Sequence, residues 1–442
     1  MTGRPLPHTE AIADPSMAEF PKVFRVRQTF ESARVEDVPA EVRRQLERLE
    51  LGRTVQPGQS VAITAGSRGI ANIAPITRAI VEHLKTLGAK PFLVPAMGSH
   101  GGGTAEGQRR LVESYGMTES YLGCPIRSSM ETVVIGRAAE GFPIHFDRLA
   151  SEADHVVVCN RVKPHTGFCG TIESGLMKML LIGLGKRDGA TVYHRAILDY
   201  SFGQIVRSVA GEVLRRCRIL AGVGIVENAY DETARIEAVR ADEFEQREKE
   251  LLALAKRLLP PLPFKQVDVL LVDRIGKDIS GTGMDPNVIG RKFNDHKALD
   301  DEWPKVRRIA LRGLSEGTHG NAHGWGMAEF CRSQMLRDAD LAATRLNGLI
   351  SGHIGAAMAP LDYETDRAML AAALDTIGLT RPADARLLWV ADTLHLAELE
   401  CSAAFLAEAA QRPDLDILTE PRELPFDATG NLPTPMASSR AL

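Results

Sequence analysis

Short apolar runs alternate with amphipathic stretches along most of the chain, and each pattern predicts a strand or a helix. Runs rich in β-branched residues, such as GQSVAIT at 58–64 and HVVVC at 155–159, predict buried strands. Stretches whose apolar positions lie three or four residues apart, such as 38–51 and 73–87, predict helices. This alternation favours an α/β fold of two domains with mostly parallel sheets.

The other predicted elements follow the same two patterns. Further strands are predicted at 23–30, 91–95, 132–136, 141–146, 219–226, 267–273, 308–311 and 387–391. Further helices are predicted at 104–115, 203–217, 241–259, 327–336, 363–377 and 403–411. The stretch at 241–259 carries so many charges that we expect it to be a solvated surface helix without a functional role.

The length and the proline pattern predict the domain organisation. A chain of 442 residues is too long for one ordinary core. The segment LPPLPF at 259–264 interrupts the alternation. We expect a disordered lead at 1–20, an N-terminal α/β domain at 21–262, a C-terminal α/β domain at 263–424 and a disordered tail at 425–442. The active site is expected in the cleft between the two domains.

Composition excludes several classes of function. The 53 Lys and Arg against 57 Asp and Glu give a net charge of −4, which argues against a nucleic-acid partner. No apolar run approaches the ~20 residues that a membrane-spanning helix needs. The first twenty residues lack the apolar segment of a signal peptide, so the expected location is the cytoplasm. Six scattered cysteines without a CxxC pair exclude a ferredoxin-like cluster or a zinc ribbon, and Cys169 is most simply an inert thiol.

Candidate chemistry follows three predicted strands of the first domain. The glycine-rich turn AGSRGIANIAP contains Ser67 and Arg68, AMGSHGGG contains His100, and NRVKPHTGF contains His165. Loops at the carboxyl ends of parallel strands are where α/β sheets bind ligands. The alternative for the turn is a tight connection with Arg68 at the surface, and the alternative for His100 and His165 is that each is an ordinary surface histidine. Because both histidines lie in glycine-containing loops after a strand, one shared site is favoured.

Other candidates stand apart from these loops. Lys178 interrupts the apolar run LMKMLLIGL, where it either extends its ammonium to solvent or serves a purpose. A second glycine- and charge-rich loop follows the strand at 267–273 and contains Lys277, Asp285, Asn287, Arg291 and Lys292. His319 and His323 have the spacing of a metal-binding pair on a helix, but the surrounding glycines and the lack of an HExxH glutamate argue against one and favour a switch or lid loop.

Several of these motifs resemble the lactate racemase (LarA-type) family. The resemblance is carried by VKPHTGF, by ESGLMKMLLIGLGK, by a histidine sixteen residues beyond Lys178, and by GSHGGGTAEGQRRLVESYG upstream. It implies a nickel-pincer nucleotide that is tethered to Lys178 through a thioamide. It further implies that His194 binds the nickel and that His100 and His165 serve as acid and base.

The resemblance also implies an activity. The expected enzyme is a racemase or epimerase that inverts the C2 carbinol of a 2-hydroxy acid, with the cofactor biosynthesis enzymes as partners. One histidine removes the hydroxyl proton while hydride passes to the pincer, and the other acts from the opposite face, because imidazole exchanges protons near neutral pH. The alternatives are another metal- or phosphate-using enzyme on the same scaffold and a non-catalytic nucleotide or metabolite sensor.

The expected substrate contacts come from both predicted domains. Ser67, Arg68, Lys277 and Arg291 are the candidates, since a guanidinium matches the two oxygens of a carboxylate. The sequence GSRGIANI stands where lactate racemase has an acidic residue followed by Thr-Arg-Pro. We therefore expect a substrate larger than lactate. The sequence does not predict the oligomeric state.

Overall fold

A computed structural model describes residues 19–67, 69–167 and 169–433 of the chain. The strands of these ranges are β1 (Val23–Gln28), β2 (Ser60–Ala65), β3 (Lys90–Pro95), β4 (Thr132–Arg137), β5 (Pro143–Asp147), β6 (His155–Arg161), β7 (Ile219–Glu227), β8 (Thr233–Arg240), β9 (Gln266–Val272), β10 (Lys305–Leu311), β11 (Phe330–Arg332), β12 (Leu361–Tyr363), β13 (Leu387–Val390), β14 (Glu398–Ser402) and β15 (Leu415–Ile417).

The helices alternate with these strands through most of the chain. They are α1 (Val38–Glu47), α2 (Ile73–Thr86), α3 (Ala105–Ser114), α4 (Glu119–Leu122), α5 (Arg148–Glu152), α6 (Leu176–Lys178), α7 (Lys186–Ala196), α8 (Phe202–Arg216), α9 (Phe244–Leu258), α10 (Pro286–Ile289), α11 (Ser333–Asp338), α12 (Leu341–Ser351), α13 (Asp366–Asp375) and α14 (Leu406–Ala409). Between α6 and α7, Met179–Gly183 forms one turn of π-helix. In the described ranges, no helix combines the length and apolar character needed to cross a bilayer.

The chain forms two compact units. One unit is continuous and spans 31–259, whereas the other combines the described residues 19–30 and 260–433 and is called the discontinuous unit below. The expected α/β fold with mostly parallel pairing is confirmed, because parallel strands and intervening helices form the core of both units.

The sheet of the 31–259 unit has the strand order β3-β2-β6-β7-β8. The first four strands are parallel and β8 is antiparallel to β7. Successive side chains of a strand point to opposite faces, so Val157 packs with α1 and α2 and Val158 packs with α8. Burial on both faces explains why the predicted strand at 155–159 reads as a continuous apolar run.

The discontinuous unit has a mixed sheet in the order β12-β11-β10-β9-β13-β14-β1-β15. Strands β9 to β13 are joined by parallel pairing, and β14, β1 and β15 add antiparallel pairs at one end. The strand predicted at 23–30 was therefore placed in the wrong domain. It is β1, and Val26 pairs with Leu399 on one side and Ile417 on the other. Pairing between residues so distant in sequence leaves no trace in a local pattern.

Two further expectations are corrected by the structure. The tail expected to be disordered from 425 is packed as far as 433, because Leu432 is buried and its amide donates to the carboxylate of Asp366. The helix predicted at 327–336 contains the strand β11, and the α-helix there is limited to Ser333–Asp338. The predictions also missed β8 and α12.

Candidate functional site

Three loops of the 31–259 unit leave the same edge of its sheet. Strands β3, β2 and β6 are parallel neighbours, so the loops that follow them emerge side by side at their carboxyl ends. These loops contain His100, Ser67 and His165 respectively. The sequence placed all three after strand ends, and the strand order makes their loops neighbours.

His100 and Ser67 contact each other across two of these loops. The Ser67 hydroxyl lies 2.5 Å from Nδ1 of His100, and the hydroxyl of Tyr115 donates to the Ser67 carbonyl at 2.8 Å. The His100 ring is exposed at the surface of its loop. The serine therefore orients the imidazole through Nδ1, one of its two distinct ring nitrogens.

The loop around His100 requires glycine. Gly101, Gly102 and Gly103 all have φ between 63° and 68°, a region that residues with a Cβ rarely adopt. A Cβ on Gly101 would lie 2.8 Å from the amide nitrogen of Gln108. The three consecutive glycines are therefore needed for a tight turn that packs against the first turn of α3.

His165 is held by its own loop in one tautomer. Nδ1 accepts a hydrogen bond from the amide of Gly167 at 2.9 Å, so the neutral ring carries its proton on Nε2. The ring stacks on Phe202 with centroids 6.3 Å apart. The backbone amide of His165 donates to Glu173, a buried carboxylate that also pairs with Lys256 at 2.6 Å. These contacts present the Nε2–H of His165 as a proton donor.

Lys178 lies where the helix changes its winding. It ends α6, and the π turn Met179–Gly183 follows directly. Turns of π-helix are rare in proteins, and those that do occur are often found at functional sites. A Cβ on Gly183 would lie 2.2 Å from Sδ of Met179 and 2.8 Å from the carbonyl of Ala96, so glycine is needed for this close packing. Lys178 itself is partly buried.

His194 interacts electrostatically with Lys178. It lies near the end of α7, and burial together with the charge of Lys178 lowers the pKa of its ring below the ordinary value. A lowered pKa keeps the imidazole neutral, which is the form that binds a metal. The sixteen-residue step between these two residues thus brings an amine and a neutral imidazole within electrostatic reach of each other.

Glu248, which was not among the residues predicted from the sequence, is fully buried on α9. Its carboxylate accepts a hydrogen bond from the amide of Met177 at 2.7 Å, and burial raises the pKa of the carboxyl to about 7 despite the amides of Met177 and Leu176 and the charge of Lys178. Its Oε1 atom has no hydrogen-bond partner among the described residues. The predicted solvated helix therefore presents one carboxyl to the segment that carries Lys178.

A sequence signal for Glu248 did exist. It stands four residues after Phe244 and three residues before Leu251, and both of these residues are buried. That spacing places the carboxyl on the apolar face of the helix rather than among the surface charges. The high overall charge of 241–259 obscured this pattern.

The candidate residues of the discontinuous unit differ in their accessibility. Lys277 is partly exposed, and its ammonium donates to the carbonyl of Gly281 at 2.6 Å and to the side chain of Asn347 at 3.2 Å. Arg291 is fully buried, where it pairs with Glu329 at 2.9 Å. Its terminal nitrogens also donate to backbone carbonyls, namely those of Asp295, Val306, Arg307 and Met327. This placement does not fit the expected substrate contact.

His319 and His323, the two histidines with metal-like spacing, lie in different environments. His319 is exposed and His323 is buried, and the positive φ angles of His319 and Gly320 are incompatible with a helix between them. Burial, helped by the charge of Lys277, lowers the pKa of His323 to about 3. No cluster of three or more potential metal-ligating side chains occurs within 19–67, 69–167 and 169–433.

Arg68 and Cys169 are the remaining candidates from the first predicted domain. Arg68 lies outside the described residues. Cys169 is partly exposed in the loop after His165.

Comparisons with known proteins agree with the resemblance inferred from the sequence. Residues 20–202 match the family model described as the lactate racemase N-terminal domain. The structure of the lactate racemase apoprotein from Thermoanaerobacterium thermosaccharolyticum matches with a TM-score of 0.50 and 14% identity, over 83% of this chain and 94% of that one. At this identity the structural match supports the fold alone. A search among curated proteins finds no match.

Proposed function

Because residues 20–202 match the lactate racemase N-terminal domain, we propose that the protein is a racemase or epimerase that inverts the C2 carbinol of a 2-hydroxy acid. The observation that carries this proposal is the grouping, within the matched domain, of two histidine loops at one sheet edge with an interacting lysine and histidine. The resemblance gives a role to each of these side chains, and the contacts described above are compatible with those roles.

His100 and His165 are the proposed acid and base. Inversion at a carbinol carbon requires proton exchange on both faces, so two imidazoles are needed rather than one. The Nε2–H of His165 is prepared to donate, since Nδ1 is already engaged by the amide of Gly167. The Ser67 hydroxyl lies against Nδ1 of His100 and so orients that ring.

Lys178 and His194 fit a nickel-pincer nucleotide. Lys178 would hold the nucleotide covalently, and His194 would bind the nickel through its neutral ring. When bound, this cofactor would supply a hydride acceptor. The fit rests on the mutual electrostatic influence of the two residues and on the tightly packed π turn that follows Lys178. The enzymes that make the cofactor are accordingly proposed as partners, and the cytoplasm as the location.

The proposed substrate contacts are a smaller set than the sequence indicated. Ser67 and Lys277 remain candidates, Arg68 is proposed from the sequence alone, and Arg291 is dropped because of its burial. We retain the proposal of a 2-hydroxy acid larger than lactate. A panel of 2-hydroxy acids, each followed by deuterium exchange at C2, tests this choice, and lactate as the best substrate would contradict it.

The decisive experiment examines protein made in a host that synthesises the cofactor. Intact mass should show an adduct that disappears in Lys178→Ala but persists in Lys249→Ala, a surface control on α9. His194→Ala should lose nickel, because it removes a ligand. His100→Ala and His165→Ala should keep nickel but lose about 10²–10⁴-fold in turnover, as is typical for acid–base groups.

Three results would contradict the assignment. The first is an unmodified Lys178 peptide in active protein. The second is equal nickel loss in all three histidine variants. The third is absence of both nickel and C2 exchange from protein made in the competent host, which would favour the sensor or another enzyme on this scaffold.

A further inference from the structure

A buried lysine stands at the junction between the His100 loop and the helix that carries His194. Lys186 is the first residue of α7 and is completely shielded from solvent. Its backbone has a φ of 53°, which is uncommon for a residue with a side chain. A buried ammonium in an unusual backbone conformation is costly, so its contacts must compensate for that cost.

The ammonium of Lys186 contacts groups from three other elements. It lies 2.9 Å from the equally buried carboxylate of Asp147 at the end of β5. It donates to the carbonyl of Pro95, the last residue of β3, and to the side-chain oxygen of Gln108 on α3 at 3.4 Å. One charged group therefore ties the end of the strand that precedes His100 to the start of the helix that ends near His194.

Gln108 extends this arrangement into the loop itself. It is fully buried, and its amide nitrogen donates to the carbonyl of Gly98 at 2.9 Å and to the carbonyl of His100 at 3.2 Å. The side chain of Gln108 thus connects the Lys186 ammonium to the backbone of the proposed catalytic residue.

The His100 loop also packs directly on the Lys178–His194 segment. A Cβ on Gly98 would lie 3.3 Å from the side chain of Ile182 and 3.6 Å from Ala190 on α7. Together with the approach of Gly183 to Ala96, this leaves little room for the loop to shift without repacking. The polar contacts of Lys186 and the close packing therefore both hold the His100 loop against the Lys178–His194 segment.

We propose that Lys186, acting through Gln108, is a positioning residue that fixes His100 relative to the segment that carries Lys178 and His194. The effect of Lys186 on catalysis rests on the proposed function, whereas its effect on the position of the His100 loop does not. A buried ion pair is by itself weak evidence for a stabilising role, because apolar replacements of both partners are often tolerated. That tolerance makes the proposal testable.

The test compares stability with loop mobility in the cofactor-free protein. Lys186→Met alone leaves Asp147 buried without its partner and should destabilise the fold. Lys186→Met with Asp147→Leu should regain the unfolding midpoint. Hydrogen–deuterium exchange of residues 97–104 should nevertheless remain at least about tenfold faster than in the wild type, because the carbonyl of Pro95 and Gln108 are no longer held. Lys249→Met with Glu245→Gln, a partly exposed pair, is the matched control and should change neither quantity.

A second variant decides the question if the double variant does not fold. Gln108→Met keeps the Lys186–Asp147 pair and should speed exchange of 97–104 without altering exchange of β6. Wild-type exchange of 97–104 in a stable variant of either kind would overturn the proposal and leave Lys186 as a core ion pair only.

In protein loaded with cofactor, the same variants should lower kcat by about 10–100-fold with little change in KM or nickel content. Equal kcat in the stable double variant would overturn the positioning role. If no preparation, including the wild type, shows C2 exchange, the proposed function fails. The exchange of 97–104 in cofactor-free protein then still tests whether Lys186 fixes the loop.

Discussion

Replacing Glu248 by glutamine should change how the stability of the protein depends on pH. The carboxyl is completely buried, and burial raises its pKa from an ordinary value of 4.5 to about 7. Glutamine has nearly the same shape and retains an oxygen that accepts from the amide of Met177. The substitution therefore removes the titrating proton while it keeps the helix contact.

The sign follows from the direction of the pKa change. A carboxyl with a raised pKa in the folded protein binds more protons there than in the unfolded chain. Wild-type stability should therefore fall as the pH rises from about 4.5 through about 7, and then level off. The full difference in pKa corresponds to ~3 kcal/mol, of which ~2–3 kcal/mol develops between pH 5 and pH 8. The Glu248→Gln variant lacks this loss.

The assay compares the free energies of unfolding of the two proteins at pH 5 and pH 8. Tryptophan fluorescence is unsuitable, because Trp303, Trp325 and Trp389 all belong to the discontinuous unit. Far-UV circular dichroism during urea unfolding, together with amide exchange in β6 and β7, follows the unit that contains Glu248. Relative to the wild type, the variant should gain ~2–3 kcal/mol of stability on going from pH 5 to pH 8.

Glu245→Gln is the control on the same helix. That carboxylate is partly exposed, and Lys249 followed by Arg207 lowers its pKa, so solvent screening should keep the effect within about 0.5 kcal/mol. Parallel curves for the wild type and Glu248→Gln between pH 5 and pH 8 would refute the reasoning. Such curves would mean that the carboxylate is ionised in the folded protein and compensated by Lys178.

Two further predictions concern packing. Gly183→Ala should destabilise the 31–259 unit by about 1–3 kcal/mol, since the new methyl group would overlap Sδ of Met179. The control Gly211→Ala lies on an open helix surface and should stabilise the unit by about 0.5–1 kcal/mol. Thermal unfolding monitored by amide exchange distinguishes the two variants. Arg291→Leu should destabilise the discontinuous unit by about 3–5 kcal/mol because Glu329 loses its partner, and tryptophan fluorescence during urea unfolding measures this loss. C2 exchange per folded molecule should be unchanged in Arg291→Leu, and a selective loss of exchange would restore Arg291 as a substrate contact.

The local pattern of apolar residues and glycines was sufficient to predict the loops at the carboxyl edge of the sheet in the 31–259 unit. The apolar run at 155–159 predicted β6, and the glycines around His100 predicted a turn after β3. Both signals arise from residues adjacent in sequence, and the parallel order of the strands then determines which loops become neighbours. For this reason the amino-acid sequence alone could group Ser67, His100 and His165 at one end of the sheet.

Long-range partners were not accessible in the same way. The pairing of β1 with β14 joins residues near 25 and 400, and no local pattern encodes that choice. Arg291 shows the same difficulty at a single residue. Its glycine-rich surroundings suggested an accessible loop, but Glu329 and several carbonyls from distant segments enclose it. Burial of a charge depends on partners that only the folded chain brings together.

The position of β1 also has a consequence for the order in which the chain is made. β1 ends at residue 28, and its neighbour β14 begins at residue 398, which is 370 residues later. At ~5–20 residues per second, the ribosome needs roughly 20–70 s to reach that neighbour. The whole 31–259 unit emerges during this interval and can close its own sheet.

During that time β1 has unpaired backbone groups and three apolar side chains, Val23, Phe24 and Val26, that are fully buried in the finished protein. An unpaired strand of this kind is prone to associate with other strands. We therefore expect slow or chaperone-dependent maturation of the discontinuous unit, while the 31–259 unit forms early and independently. A pulse of protease on nascent chains stalled near residue 300 should cleave before residue 31 and leave 31–259 intact.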